Sequence, residues 1–186
     1  MLFFLVIFIL VVLDVLYSVL TYNRIVNLDN RIENAWSQIE VQLKRRYDLI
    51  PVLVDSVKGY MEHEKETLEK VIQARNFAIA AGSTYEQAHA ENDLLAALNS
   101  LLMVVENYPV LKADENFHEL REELISTENR ISFARQNYND QVMFYNNLIR
   151  SFPINFIARI FSFQPHEYFE IEDEQERAKI DIGFSA

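Results

Sequence analysis

Two Glu-x-x-His pairs, Glu86 with His89 and Glu115 with His118, are the residues whose types and spacing come nearest to chemistry. In carboxylate-bridged di-iron bundles such pairs project inward at one level, beside glutamates from the other helices. Here each pair lies near the start of its own helix, and antiparallel packing would set those starts roughly 30 Å apart. Surface placement is therefore expected, not a di-metal site. His63 stands between Glu62 and Glu64, a spacing that sends neighbours to different helix faces, and His118-Glu119 lacks the second histidine of a zinc-protease helix. There is no glycine-rich phosphate loop and no serine in a strand-to-helix elbow. The chain has no cysteine, which removes thiolate catalysis, disulfides and Cys-ligated metals. The expectation is a protein that is not an enzyme and carries no metal or cofactor.

The elements that position these residues follow from composition. At 186 residues the chain has room for one modest domain plus an anchor. Three glycines and four prolines leave too little turn chemistry for a sheet protein, so the fold class is all-α. A net charge of -11, from 28 acidic and 17 basic residues, argues against a nucleic-acid partner. The same balance argues against broad adsorption to anionic lipid.

From Leu2 to Leu20 the chain reads LFFLVIFILVVLDVLYSVL, close to the roughly 20 residues needed to span about 30 Å of hydrocarbon. With no basic residue before the run and no small-x-small site after it, an uncleaved transmembrane helix is expected over a signal peptide. Tyr17 and Tyr22 suit the interface, and Arg24 followed by Arg31 places the soluble part in the cytoplasm by the positive-inside rule. Asp14 is a costly residue at such depth. It has two readings, a protonated or interface-reaching carboxylate and a contact for helix association.

After the anchor, apolar residues recur every three or four positions from Ile25 through Ile39, Leu43, Ile50, Val57 and Met61 to Leu68, Val71 and Ile79. This predicts an amphipathic helix with a coiled-coil-like seam, stopped at Gly82 by a left-handed cap. Ser83 with Glu86, or Thr84 with Gln87, forms a capping box for a second helix, which runs to about Tyr108. Asp114 caps a third, striped by Phe117, Leu124, Ile131, Tyr138, Val142 and Tyr145. A short segment from Pro153 to Phe163, capped by Ser151, and an acidic tail from Glu170 to Glu176 follow, with a Lys179-Ile180-Asp181-Ile182 alternation near the end. The expected domains are an anchor at 1–22, a bundle at 23–150, and a short amphipathic helix with tail at 151–186.

Pro51 removes the helical bond to the carbonyl of Tyr47. A kinked continuous helix is expected because the seam keeps phase across it; a break there would instead give an up-and-down four-helix bundle. A continuous first helix from Arg24 to Ala81 would reach about 87 Å and the second, Thr84 to Asn107, about 36 Å. The second cannot cover the first, so the stripe of Ile32, Trp36, Ile39 and Leu43 needs cover from the third helix, the tail or another protomer, and the expectation here is another protomer.

Polar residues fall on or beside the stripes: Asn34, Gln38, Gln42 and Arg46, then Arg75, then Glu128, Arg135, Asn139 and Asn146. Their expected role is to fix register. Tyr138-Asn139 and Tyr145-Asn146 repeat one heptad apart and present one face as a structural ladder. Lys44, Arg45 and Arg46 are consecutive and fan around the helix. Phe152, Ile154, Phe156, Ile157, Ile160 and Phe161 form an apolar face that docks on the bundle or lies at a lipid interface.

The runs ENAWSQIEVQLKRRYDLIPVLVDSVKGYMEHE, LEKVIQAR, ENYPVLKADENF and TENRISFARQNYNDQVMFYNNLIRSFP, with a YFE tail, resemble the LemA family from about Tyr22 to Glu170. The resemblance implies a bacterial-type single-pass membrane protein with a helical cytoplasmic domain and no assigned catalytic residues. Its magnetosome-associated members imply a part in organising internal membranes. The expected function is a self-assembling scaffold working on lipid or membrane-bound partners. The alternatives are a monomeric adaptor that presents its tail to a membrane protein and, remotely, a metal-binding bundle.

Overall fold

A computed structural model describes residues 1–61 and 63–169. Six helices follow one another, with no strand among the described residues: α1 (Leu2–Lys58), α2 (Lys65–Ala80), α3 (Thr84–Val105), α4 (Pro109–Lys112), α5 (Glu115–Arg150) and α6 (Ile154–Ile160). The acidic tail and the alternation around Ile180 lie outside the described residues.

The local signals explain most boundaries. Ser83 accepts from the Glu86 N–H at 3.2 Å, while the Glu86 carboxylate reaches back to the Gly82 N–H at 3.0 Å. This is a capping box with its return bond shifted by one residue. Asp114 caps α5 through the Phe117 N–H at 3.0 Å. Pro109 opens the one-turn α4, a position where its missing N–H costs nothing. Ser151 does not cap α6, as expected from the sequence; it ends α5 and its hydroxyl donates back to the Asn147 carbonyl at 2.7 Å.

The first helix departs from expectation in two places. It is continuous through Pro51 but does not run to Ala81; it ends at Lys58, and α2 begins at Lys65. Gly59 is a poor helix residue, and the helix yields there. The cap glycine is right-handed, with φ -70°, and no glycine among the described residues has positive φ. The bundle thus gains its fourth long element by a break at Gly59, not at Pro51.

α1 and α5 lie antiparallel: Trp36 meets Tyr138 while Arg46 meets Glu128, ten residues up one helix and ten back along the other. The α2–α3 hairpin closes the distal half around Leu53, Val57, Leu68, Val71, Leu94 and Leu101. In the half nearer the N-terminus, α1 and α5 are joined by α6 and residues 163–169, with Ile25, Ile32, Ile39, Val142 and Tyr145 buried between them. This overturns the expected shortage of cover. Ile32, Ile39 and Leu43 belong to the chain's own core because α5, 36 residues long, reaches the whole stripe. Burial begins at Thr21; from residue 2 to 20 the helix is exposed apart from half-buried Ser18, and this stretch is long and apolar enough to cross a membrane.

Candidate functional site

Two polar constructions are built into this frame. The first is a layer across the middle of the bundle. Arg46 occupies a seam position of α1 and is 2% exposed; its guanidinium pairs with Glu91 of α3, itself 3% exposed, and with Glu128 of α5. The Tyr47 hydroxyl donates to Glu91, and Gln87 Nε2 reaches the Tyr47 hydroxyl and Glu91 Oε1, both at 2.9 Å, and the Ala78 carbonyl at 3.1 Å. From α2, Arg75 Nε donates to the Tyr47 carbonyl at 2.7 Å. All four long helices meet here: Arg46 of α1 faces Glu91 of α3 and Glu128 of α5, and Arg75 of α2 binds a main-chain carbonyl.

Burial pulls the Arg46 guanidinium below its ordinary range, opposed by the charge of Glu128. It pushes the Tyr47 hydroxyl up, opposed by Arg46. The Arg46 guanidinium has its counter-charges in Glu91 and Glu128, and the Tyr47 hydroxyl is held neutral by its burial. The arrangement suits register, because any other alignment would strand a buried arginine.

Sequence reasoning named Arg46, Arg75 and Glu128 for this role but missed Glu91, Gln87 and Tyr47. The signal for Glu91 was its place on the α3 stripe between Ala88 and Leu94, where an acid implies a buried cation.

The second construction is a groove between α1 and α5 that holds residues 163–169 in extended form. Asn146 grips the main chain of His166 at both ends, donating to its carbonyl at 2.9 Å and accepting from its N–H at 3.0 Å. Asn139 treats Phe169 the same way, at 3.3 and 2.8 Å. The two asparagines are one heptad apart, about 10.5 Å along α5. His166 and Phe169 are three residues apart, about 10 Å in an extended chain. The repeat of the helix matches the rise of the segment it holds.

The remaining contacts fix the segment's side chains. The Tyr138 hydroxyl donates to the Glu167 carbonyl at 3.0 Å, and the Tyr145 and His166 rings meet at 4.9 Å. His166 Nε2 lies 2.6 Å from Asp29 Oδ1. Phe169 is buried between Trp36, at 5.8 Å, and the Arg135 guanidinium, at 4.6 Å from its centroid. Trp36 is therefore a half-buried wall of this groove. The ladder asparagines read a main chain, so no side-chain pattern in residues 163–169 announced it.

On the opposite side of the α1–α5 pair, Asn34, Gln38 and Gln42 line a shallow groove with Val41 and Phe133. Phe133 is 73% exposed, and the buried Oε1 of Gln42 has no hydrogen-bond donor there.

At the membrane end, α6 buries Ile157 and Ala158 and leaves Phe152, Phe156, Ile160 and Phe161 exposed, with Ile154 half-buried. Tyr22 packs on Phe161 at 4.8 Å and on Phe163 at 5.7 Å. Asp14, Tyr17 and Arg24 are all exposed on α1. The Glu-x-x-His pairs are used separately: Glu86 in the cap, His89 against the Tyr85 ring at 4.5 Å, His118 beside Glu122 at 3.7 Å. Among the described residues no three His, Asp or Glu side chains converge as metal ligands would.

The sequence profile of the LemA family matches residues 35–184. Protein LemA of Metamycoplasma hominis is 29% identical over 97% of this chain and 84% of its own length. Magnetosome protein MamQ 2 of Paramagnetospirillum magneticum is 26% identical over 80% of this chain, and magnetosome protein MamQ of Magnetospirillum gryphiswaldense 25% over the same share. The matched region spans 64% of the length of each of these two magnetosome proteins. None of these names designates an enzymatic activity.

Proposed function

This chain belongs to the LemA family, and from that premise we propose that it is a membrane-anchored, non-catalytic helical platform that holds a membrane protein partner at the bilayer. The observation that carries this reading is the cover of the Ile32–Leu43 stripe by α5 of the same chain. With that stripe buried internally, no second copy is needed to cover it, which supports an adaptor able to act as a monomer. Its buried charges are all engaged within the fold, which supports a role in presentation over reaction. Arg24 and Arg31 beside the span support a bundle on the cytoplasmic side by the positive-inside rule.

Two measurements test this. The full-length chain in lipid nanodiscs should have the mass of one copy, and protease added outside intact cells should leave the bundle uncut. A larger species would favour the second reading below, and external digestion would reverse the orientation.

The second reading is a self-assembling scaffold that organises membrane, to which the magnetosome relatives lend support. The specific observation behind it is the groove with exposed Val41 and Phe133 and the undonated Gln42 Oε1. Ile32, Ile39 and Leu43 no longer serve as its interface. Because the chain lacks cysteine, Phe133→Cys gives a clean test. Disulfide-linked dimers in native membranes would favour the scaffold, and their absence the adaptor.

A further inference from the structure

We propose that the membrane end of the bundle is a second, peripheral bilayer contact that recognises anionic lipid headgroups through a collar of arginines and buries the outer face of α6 among acyl chains. The inference rests on the reading of residues 2–20 as a span.

Position comes first. Thr21 is the first buried residue after the apolar run, and α6 packs against the turn of α1 that follows it, with Phe161 on the ring of Tyr22. α6 therefore lies within about a helical turn, roughly 5 Å, of the end of the span. At that height an outward side chain meets the headgroup region.

Chemistry comes second. The buried face of α6 already anchors it to the bundle, yet the other face carries Phe152 at 80% and Ile160 at 75% exposure, with Phe156 and Phe161 beside them. An aromatic-rich apolar face beside arginines is the pattern of a segment lying in the interface plane.

Charge comes third. The chain as a whole is strongly acidic, but residues 15–32 and 141–166 together hold four arginines, Arg24, Arg31, Arg150 and Arg159, and one acid, Asp29. Asp29 faces His166. No ion pair is formed by those four arginines among the described residues, although Arg45 and Arg46 are paired further along the bundle. Arg24 and Arg31 line one open groove of about 970 Å³ together with Leu20 and exposed Phe144, so cations and apolar surface share a site next to the bilayer. Asp14, Glu33, Asp140 and Glu167 border these stretches, and the four arginines, without an ion pair among the described residues, are complementary to the negative potential of an anionic leaflet.

The absence of cysteine makes depth measurable. Single cysteines at Phe156, Ile160, Leu10 and distal Val110 of the full-length chain would carry an environment-sensitive fluorophore in nanodiscs. The discs would be made of phosphatidylcholine alone or with phosphatidylglycerol, and each would contain spin-labelled lipid as quencher. The labels at Phe156 and Ile160 should be quenched, more strongly with phosphatidylglycerol, while Val110 is not. Replacing Arg24, Arg31, Arg150 and Arg159 with Gln should abolish the phosphatidylglycerol dependence without altering helix content. Quenching at Leu10 with none at Phe156 or Ile160 overturns this proposal and leaves the span intact; no quenching at Leu10 overturns the span itself. Quenching that ignores phosphatidylglycerol in the unaltered chain overturns the headgroup part.

Discussion

Arg75 of α2 donates its Nε–H to the main-chain carbonyl of Tyr47 in α1 at 2.7 Å, and that carbonyl is the one left without a helical donor by Pro51 four residues on. A proline inside a helix removes a bond and crowds the preceding turn. Here the vacated acceptor is the docking point for another helix. The chain's Leu43–Pro51 run is thereby accounted for: Arg46 and Tyr47 build the buried layer, and Pro51 opens the carbonyl that α2 closes.

Arg75 and Pro51 should therefore be coupled. In the full chain, Arg75→Ala is expected to cost about 1–3 kcal/mol by stranding a buried acceptor. In a Pro51→Ala background the new N–H can bond Tyr47, and the cost should shrink. Chemical denaturation of the four proteins of a double-mutant cycle measures this, and additivity would refute it.

Glu91 should matter more than Glu128. Glu91→Ala leaves Arg46 buried with half its counter-charge, and breaking a buried pair costs about 3–5 kcal/mol. Glu128→Gln should cost less, because its side chain is 33% exposed and Glu91 remains. Thermal melts of the two variants should rank in that order.

The asparagine ladder predicts a local effect. Asn146→Ala should release the His166 amide and Asn139→Ala the Phe169 amide, each by about tenfold in hydrogen exchange, the worth of one or two hydrogen bonds. The Leu94 and Leu101 amides in the distal core should not change. Equal loss of protection throughout would mean that the segment folds with the core and is not held separately.

Alkaline stability should depend on Tyr145. Burial pushes its hydroxyl up from 10 to about 12, with Asp29 adding to the shift. Between these values the unfolded chain loses the proton and the folded one keeps it. Stability is fully present below pH 10 and falls as pH climbs towards 12. Tyr145→Phe should decline less steeply over that window in pH-dependent denaturation, and an unchanged slope would assign the decline elsewhere, for instance to Tyr47 or Tyr138, which burial also raises.

What the sequence revealed and hid follows from which interactions have a period. The α5 stripe, the Ser83–Glu86 cap and the Asp114 cap are short-range patterns, and each stands in the structure where its residues placed it. The break after Lys58 was hidden because Val57, Met61 and Leu68 keep the helical phase across it. Helix lengths alone do not decide among the third helix, the tail and another protomer as the cover for Trp36; the structure sets it against Tyr138 of α5 and Phe169. Glu91 was overlooked because one acid in a polar-looking turn resembles a solvated face. The groove contents were unreadable, since two asparagines binding a main chain leave no mark on the sequence they bind.

α1 passes from the apolar run to the polar layer as one unbroken helix of 57 residues, with no linker where orientation could be lost. The tilt of a span follows the thickness of the bilayer around it. From Leu20 to Tyr47 the helix extends about 40 Å, so a change of roughly 10° in tilt swings the layer sideways by about 7 Å. With residues 2–20 in a bilayer, anything gripping the distal bundle would feel a thinner or thicker membrane as displacement, and the molecule would act as a pointer whose bearing is set by the lipid beneath it.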